Sequence, residues 1–459
     1  MITTSPTRPE RPAKAPAARR RTLLLLALGA LIGAVLAAAG PAAADDGPRR
    51  AIVPGKVIVR YRAGTAPATR SSVHVQSGIG HSIPLPGGSQ ELELADGASV
   101  QETVARLRRD PRVAYAVPDY VAHSSSFAPN DPGYPLQWNF WGPFGIQAPE
   151  AWELASRRGA PGGRGAVVAV LDTGVAYRDF GRFRRAPDDA DFVPGYDFVA
   201  DDRYPLDANG HGTHVAGTIA EATNNGIAAA GIAYHARVMP VRVLDARGDG
   251  DTVTISRGIR YAVRHGAEVI NLSLEFAPWV RAAHVPDLLA ALRYARRHRV
   301  VVTAVAGNES STALPYPASA PGVIAVAATT EHGCRAEYSN SGRAVDVAAP
   351  GGGDDAALAS DPWDQTHCRP GEPGRSIYQE TFTVGFHTFG LPDGYYGTSM
   401  ASPHVAALAA LIIASRRLGP APTPSAVEQL IERTARDIGP PGVDVDYGHG
   451  LIDAAAALR

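Results

Sequence analysis

The stretch GAVVAVLD, residues 165–172, is apolar at nearly every position and does not alternate apolar with polar residues. A strand of this composition is buried on both faces, as in a parallel sheet covered by helices on two sides. Five further runs rich in Val, Ile and Ala share the pattern: 237–244, 268–274, 299–308, 322–329 and 344–351. These runs predict one parallel sheet that supplies the framework of the fold.

Helical patterns lie between or after several of these strands, at 211–222, 253–265, 286–298, 399–415 and 424–436. Alternation of strands and helices predicts the α/β class, with helices on both faces of the sheet. Functional residues of such sheets gather at the carboxyl ends of the strands. The motifs at those ends are therefore expected to contain the functional residues.

Three polar motifs lie at those ends. VLDTGV (170–175) places Asp172 at the end of the first strand, and NGHGTHVAGTIA (209–220) begins a helix at His211. The segment 395–413 places Ser399 at the start of a long apolar helix, with Pro403 in its first turns. A serine nucleophile needs an imidazole to accept its proton, and the imidazole needs a carboxylate to fix its tautomer. Asn308, in AVAGNES (304–310), and the helix N-terminus could stabilise the developing oxyanion.

In this chain order, Asp, His and Ser, the motifs resemble those of the subtilisin family (subtilases) of serine endopeptidases. The resemblance covers about residues 127–459 and implies a subtilisin-like three-layer domain with a parallel sheet. It implies peptide-bond hydrolysis through an acyl-enzyme, with no catalytic cofactor. The implied catalytic residues are Asp172 as orienting acid, His211 as general base and acid, Ser399 as nucleophile and Asn308 as oxyanion donor.

Two further histidines in these motifs, His214 and His404, are interpreted as structural. A zinc site at His211 and His214 would need a third ligand nearby, and the motif offers none.

The first 44 residues are predicted to be a secretory signal peptide. Arg19–Arg21 supply a positive region, Leu23–Ala39 is an uncharged apolar run, and Ala42–Ala44 offer small residues for cleavage. The alternative is an uncleaved anchor, but the run is short for a spanning helix. The prediction is therefore a secreted, extracellular protein without stable membrane association.

Residues 45–126 are predicted to form a small α+β propeptide domain ahead of the catalytic domain, 127–459. Ser99 is the expected N-cap of a helix within 97–113, because Glu102 follows three residues later. Strands are expected at 55–62, 90–95 and 114–124, which gives a compact β-α-β arrangement. By resemblance this domain is the intramolecular inhibitor of the enzyme, removed by self-cleavage near 123–128.

The resemblance also implies that two strand edges, RGDGD (247–251) and NLSLE (271–275), hold an extended peptide substrate. The substrate-binding residues implied are Gly248, Gly250, Ser273, Leu274, Glu275 and Gly307.

Glu275 departs from the family, many members of which have glycine there. Glu309 lies next to Asn308, so two carboxylates could line the mouth of the pocket for the residue before the cleaved bond. They would then favour Lys or Arg, whereas the alternative is that both point to solvent.

A structural calcium ion is the one cofactor that the resemblance implies, with Asp131, Asp188 and Asn225 as its ligands. A second acidic loop, 196–210, is either a weaker calcium site or a solvated surface. Cys334 and Cys368 suggest a disulfide in an exported protein. Free thiols or a metal site with nearby histidines remain as alternatives.

A net charge of −1 gives no global indication of nucleic acid or of a membrane surface as partner. The expected partners are protein or peptide substrates and the chain's own propeptide, and the expected state is a monomer. Two alternatives stay open. One is a non-catalytic, subtilase-like binding protein, and the other is a processing protease held by an uncleaved N-terminal anchor.

Overall fold

The structure, a computed structural model, describes residues 52–120 except 78 and 96–97, and residues 127–459 except 189, 357 and 359–367. The chain divides into two compact units, Met1–Ser124 and Ser125–Arg459. The predicted signal peptide and residues 123–126 of the predicted self-cleavage region lie outside the described residues. No helix of the described part is both long and apolar enough to cross a bilayer.

The N-terminal unit is an antiparallel four-stranded sheet with two helices, and its strand order is β2-β3-β1-β4. The elements are β1 (Ile52–Tyr61), α1 (Pro67–Gln76), β2 (Ile79–Pro84), β3 (Ser89–Leu94), α2 (Val100–Arg109) and β4 (Val113–Tyr120). The predicted α+β class is confirmed, and Ser99 caps α2 through the backbone N–H of Glu102 at 3.3 Å. The β-α-β arrangement was too simple, because it lacked α1 and β2.

The two missed elements have weak hydrophobic patterns. In α1 the sequence PATRSSVHVQ buries Val73 but leaves Val75 exposed, so few apolar positions mark a helical face. In β2 no residue is fully buried. Periodicity detects an element only when one of its faces is consistently apolar.

The C-terminal unit is built on an eight-stranded sheet in the order β12-β11-β10-β9-β5-β8-β6, with β7 also beside β8. All described pairings in this sheet are parallel, as predicted. Its strands are β5 (Val167–Asp172), β6 (Asp191–Phe192), β7 (Tyr196–Asp197), β8 (Arg237–Arg242), β9 (Val269–Leu272), β10 (Val301–Val305), β11 (Ile324–Thr329) and β12 (Val347–Pro350).

Helices cover both faces of this sheet. They are α3 (Trp138–Trp141), α4 (Ala148–Arg157), α5 (His211–Ala220), α6 (Thr252–Arg264), α7 (Pro286–Arg297), α8 (Thr398–Ala414), α9 (Pro424–Thr434) and α10 (Ala454–Leu458). Val168 and Val170 of β5 belong to the core that contains α5 and α8. Ala169 and Leu171 belong to the core that contains α6 and α7. Burial of alternate residues in two cores explains why β5 is apolar throughout.

The chain order of the strands places a topological switch at β5. From β8 on one side of β5 the chain crosses to β9 on the other side, and then continues outward through β10, β11 and β12. Ligands of open α/β sheets bind at the carboxyl ends beside such a switch. The residues that follow β5, β9 and β10 are therefore the ones to compare with the predicted site.

The segment 351–395, interpreted from the sequence as a surface loop, is partly buried. It carries a hairpin of β13 (Thr381–Val384) and β14 (Thr388–Gly390), and Ile377, Gln379 and Thr381 are fully buried. Polar partners make this burial possible, since the Gln379 side chain donates to Ala230 O and the Thr381 hydroxyl donates to Gly210 O. Composition alone could not reveal these partners, because they lie 149 and 171 residues away.

Cys334 and Cys368 form a disulfide with a Cα–Cα distance of 5.7 Å. The structure thus has the disulfide, and not the free thiols or the metal site that were the alternatives. The bond ties the inserted segment to the turn that follows β11.

Candidate active site

Asp172 is the last residue of β5 and is fully buried. Its Oδ1 accepts the backbone N–H of Thr173 at 2.7 Å and lies 2.7 Å from Nδ1 of His211. Its Oδ2 is buried and has no hydrogen-bond partner among the described residues. The carboxylate is thus held in place by one backbone donor and directs its charge at the imidazole.

Glycines let α5 approach Asp172 closely. Gly210, the N-cap of α5, has φ +110°, a conformation that side chains disfavour. A Cβ on Gly212 would lie 2.2 Å from Gly174 O and 3.1 Å from Asp172 Oδ1. Both glycines of the Gly-His-Gly motif are therefore required if His211 is to reach the carboxylate.

Asp207 fixes the loop that precedes α5, although from the sequence it belongs only to the second acidic loop, 196–210. Its Oδ1 accepts the Thr173 hydroxyl and the backbone N–H groups of Asn209 and Gly210. Its Oδ2 accepts the backbone N–H and the hydroxyl of Thr213. Asp207 thus connects the turn after β5 to the start of α5, a role that becomes visible only in three dimensions.

The surroundings of His211 shift its pKa in opposite directions. Burial lowers the pKa, but the charge of Asp172 and the hydrogen bond to it raise the pKa by more, with a smaller contribution from Asp207. The net pKa lies above 6.5. The side chain keeps 26% of its surface exposed, so the ring reaches the solvent-facing side of the site.

Ser399 lies in the first turn of α8, where a proline determines its hydrogen bonding. Pro403 has no N–H to donate to the carbonyl of Ser399 four residues earlier. That carbonyl instead accepts the hydroxyl of Ser273 at 2.8 Å. The contact ties the residue that follows β9 to the start of α8.

Asn308 is joined to the same turn. Its Oδ1 accepts both the backbone N–H and the hydroxyl of Thr398, at 2.9 and 3.0 Å. Because these bonds use the carbonyl side of the amide, Nδ2 points the other way, and it lies 3.5 Å from Glu275 Oε1. The amide orientation is therefore fixed by the residue next to Ser399.

A cavity of about 390 Å³ lies at the carboxyl edge of the sheet, and neither Asp172 nor Asn308 is part of its lining. His211 and Ser399 both line it, together with four of the predicted substrate-binding residues: Gly248, Gly250, Ser273, Leu274. Glu275 lines it as well, whereas Gly307 lies beside the Glu275 carboxyl rather than in the lining.

His214 and His404 are buried and have polar partners of their own. The ring of His214 donates to Ile377 O at 2.9 Å and stacks on Tyr395, and His404 lies between Met400 O and Asn139. Burial lowers the pKa of His214 to about 3 and that of His404 to about 4. Both rings are neutral near pH 7 and belong to the core.

The three predicted calcium ligands meet around the loop 223–229, but in different ways. Both carboxylate oxygens of Asp131 accept backbone N–H groups, from Asn224, Asn225 and Gly226. Asp188 Oδ1 lies 2.6 Å from the side-chain amide of Asn225. Asp131 therefore orders the loop, whereas Asn225 donates through Nδ2 to Asp188 and accepts the backbone N–H of Ile227 with its Oδ1.

Glu221 and Glu380 form a buried acidic group with Asp188, and neither glutamate was predicted from the sequence to belong to this site. All three line a small cavity of about 10 Å³, and Oε1 of Glu221 has no partner among the described residues. Burial raises the pKa of Asp188 to about 6 and that of Glu380 to about 7, and the pKa of Glu221 is raised well above its usual range. Glu380 comes from the inserted segment, so no local motif could have revealed the cluster.

Comparison with known proteins identifies the fold and the family. Residues 163–450 match the Subtilase family, and residues 38–119 match the Fervidolysin N-terminal prodomain. The chain belongs to the subtilase family. This subtilase is a serine-type endopeptidase, a hydrolase, and it is preceded by a prodomain.

Several relatives support the assignment across most of the chain. A thermophilic serine proteinase of Bacillus sp. (strain AK1) is 34% identical over 87% of this subtilase and 86% of its own length. An extracellular protease of Xanthomonas campestris pv. campestris is 33% identical over 96% of this chain and 79% of its own length. A solved protease structure from Pseudoalteromonas arctica PAMC 21717 superposes with a TM-score of 0.58 at 34% identity, covering 72% of this subtilase and 99% of that chain.

Proposed function

We propose that this subtilase hydrolyses peptide bonds with Ser399 as nucleophile, His211 as proton carrier and Asp172 as the residue that orients His211. The observation that carries the proposal is the 2.7 Å contact between Asp172 and His211 at a cavity that Ser399 also lines. A hydroxyl at the start of a helix, an imidazole and a buried carboxylate are the components of an acyl-transfer site.

Acylation replaces the C–N bond of the peptide by a C–O ester bond and moves one proton from the serine hydroxyl to the departing amine. The Ser399 Oγ attacks the peptide carbonyl carbon while Nε2 of His211 takes the hydroxyl proton. The C–N bond then breaks, and the same proton goes to the departing amine. In the second half, water attacks the ester, His211 takes a proton from the water, and the proton returns to Ser399 as the acyl bond breaks. Asp172 orients the ring and stabilises the imidazolium in both halves.

The oxyanion that forms in each half needs donors that are already in position. Nδ2 of Asn308 and the backbone N–H of Ser399 at the N-terminus of α8 supply them in this proposal. The bonds from Thr398 to Asn308 Oδ1 support it, because they leave Nδ2 as the outward-facing end of the amide. The partial positive charge of the helix N-terminus adds to the stabilisation.

The extended substrate would lie along the two predicted edges, whose residues 247–250 and 273–275 line the cavity. Backbone groups of Gly248, Gly250, Ser273 and Leu274 would pair with the peptide main chain, so binding would depend little on sequence. A non-catalytic binding protein would need the same groove but not the Asp172–His211 pair. The presence of both together favours the enzyme.

The domain organisation proposed is a signal peptide (1–44), a propeptide (45–126) and a peptidase domain (127–459). The prodomain match supports an intramolecular inhibitor that is removed on activation. An extracellular protease among the relatives supports secretion. The proposed state is a monomer, because all the proposed catalytic residues come from one chain.

A fluorophosphonate, which forms a phosphorus–oxygen bond and releases fluoride, tests the proposed nucleophile. We expect one adduct per chain on Ser399, and none in a His211→Ala variant, because the hydroxyl is reactive only when the imidazole can accept its proton. Intact mass and peptide mapping measure both. Labelling of a different serine, or equal labelling of the His211→Ala variant, would contradict the assignment.

The same proposal includes a structural calcium ion at Asp188, with Glu221 and Glu380 beside it. Asp131 and Asn225 leave the predicted ligand set, because both oxygens of Asp131 accept backbone N–H groups and Asn225 turns Nδ2 towards Asp188. The orphaned Oε1 of Glu221 and three carboxylates around one small cavity fit a hard cation that prefers oxygen ligands. The ion would neutralise charges whose burial otherwise opposes folding. It would support the loop 223–229 and take no part in the reaction.

Adding calcium to the chelated protein is expected to raise the unfolding midpoint, because a ligand of the folded state at 100 times its Kd contributes about 2.7 kcal/mol. Thermal unfolding with calcium and with chelator measures the shift. The Glu380→Gln variant should show a smaller shift, whereas Glu372→Gln, in the same inserted segment, should keep the wild-type shift. An unchanged midpoint in the wild type would remove the calcium site.

A further inference from the structure

We infer that Glu275 and Glu309 form an acidic pair that selects Lys or Arg at the substrate residue preceding the cleaved bond. The inference rests on the proposed function and names the substrate class of the same site. It concerns a residue of this chain, Glu275, at a position where many subtilases have glycine.

Glu275 belongs to the cavity rather than to the outer surface. It directly follows Ser273 and Leu274 and lines the cavity together with His211 and Ser399. Its Oε2 is buried and accepts from no N–H or hydroxyl among the described residues, so its polar neighbour is the Glu309 carboxyl, and its Oε1 has only the weak 3.5 Å contact with Asn308. A buried carboxylate oxygen without a donor is costly in free energy, and a cation that enters the cavity would offset that cost.

Glu309, an exposed residue of the loop after β10, reaches Glu275 at the edge of the cavity, in the space beside Gly307. A Cβ on Gly307 would lie 2.6 Å from Glu275 Oε2 and 3.0 Å from Glu309 Oε2, so both carboxyls occupy the space beside Gly307. The side-chain amide of Asn340 donates to Glu309 Oε2 at 2.7 Å. The carbonyl of that amide accepts the backbone N–H of Glu309, which fixes the loop. Both the second carboxylate and its loop are therefore held in place.

The two carboxylates repel each other when both are charged. Burial, the charge of Glu309 and a hydrogen bond to Glu309 raise the pKa of Glu275 to about 7. Two carboxyls this close share a proton unless another positive charge compensates them. A lysine or arginine side chain would supply that charge, whereas an uncharged side chain would not.

The other charged groups around the cavity do not replace that cation. Arg247, from the loop after β8, is 79% exposed and pairs with Asp245 and Asp249. His211 reaches the cavity from α5, but its ring is engaged by Asp172. Apolar walls from Leu274, Phe276 and Val305 would contact the aliphatic stem of a lysine or arginine.

Selectivity should therefore depend on pH in a defined direction. The ratio of kcat/KM for a charged over an uncharged side chain should rise as the pH increases through about 7, because Glu275 loses its proton there. Titration of His211 cancels from this ratio, since both substrates use the same imidazole.

The test compares two peptide nitroanilides that differ only at this residue, lysine against norleucine, which has a similar stem without the charge. In the wild type we expect a ratio of kcat/KM above one that increases between pH 6 and pH 8. Glu275→Gln should lower the ratio about tenfold, equal to ~1.4 kcal/mol, and flatten its pH dependence. Glu309→Gln should lower it as well.

Asp249→Asn is the matched control, because its carboxylate lines the same cavity but is 74% exposed and screened. It should change the ratio less than about twofold. Equal or better cleavage of the norleucine substrate by the wild type, or an unchanged ratio in Glu275→Gln, would overturn the inference while leaving the protease intact. Failure to cleave either substrate would instead count against the proposed function.

Discussion

Replacing Ser399 by alanine is expected to lower kcat about 10⁶-fold, the size of effect known for the corresponding change in subtilisin itself, the type enzyme of this family. The reason is that the ester forms on the Ser399 hydroxyl, whereas the other hydroxyls that line the cavity, those of Thr173 and Ser273, donate to Asp207 and to the carbonyl of Ser399. Hydrolysis of a peptide nitroanilide, followed over days for the variant, measures the change. Ser415→Ala, at the far end of the same helix, is the control and should retain the wild-type rate.

Maturation gives an independent readout of the same change. If Ser399 removes its own propeptide, the wild-type protein should begin near residue 127, whereas Ser399→Ala should keep residues from about 45. Intact mass and N-terminal sequencing of the secreted protein distinguish the two. Identical processing of both proteins would assign maturation to another protease, and a nearly wild-type rate in the alanine variant would remove Ser399 as nucleophile.

The sheet could be predicted from the sequence because its strands are buried on both faces. Each of the six long strands appeared as an apolar run, and burial of alternate residues in two cores accounts for the absence of alternation. Elements with little buried surface, such as α1 and β2, left no such pattern. The hairpin of β13 and β14 was missed for a related reason, since polar contacts with distant residues stabilise the inserted segment.

The candidate site was predictable where a short motif holds both the reactive residue and the glycines that position it. Gly210 and Gly212 flank His211 in one motif, so the sequence carries the geometry. The positions of Asp207, Thr398 and Glu380 could not be obtained in this way. Each acts on a group that lies far along the chain or in another loop, and periodicity records burial but not partners.

The roles of Ser273 and Pro403 show how a motif can carry more than its reactive residue. Pro403 removes one helical N–H, and the carbonyl of Ser399 that loses this donor is satisfied by the Ser273 hydroxyl. The proline and the serine of the substrate-binding edge are thus linked through the turn that bears Ser399.

Replacing Asp172 by asparagine is expected to lower kcat about 10⁴-fold while the fold is retained, because an amide of the same shape favours the wrong imidazole tautomer. Asp172 touches His211 rather than substrate, so it acts as a positioning residue. Its Oδ1 faces Nδ1 at 2.7 Å, and an asparagine amide that donates there would make Nδ1 the acceptor and leave the proton on Nε2. His211 could then not accept the proton of Ser399.

The pH profile separates this positioning role from a purely structural one. Activity requires neutral His211, so wild-type kcat/KM should rise with pH through the raised pKa of that residue. Removing the charge of Asp172 leaves burial as the main influence, which lowers the pKa. The acidic limb of the residual activity in Asp172→Asn should therefore move to lower pH, at an unchanged unfolding midpoint. An acidic limb that stays at the wild-type pH would mean that Asp172 does not act through His211.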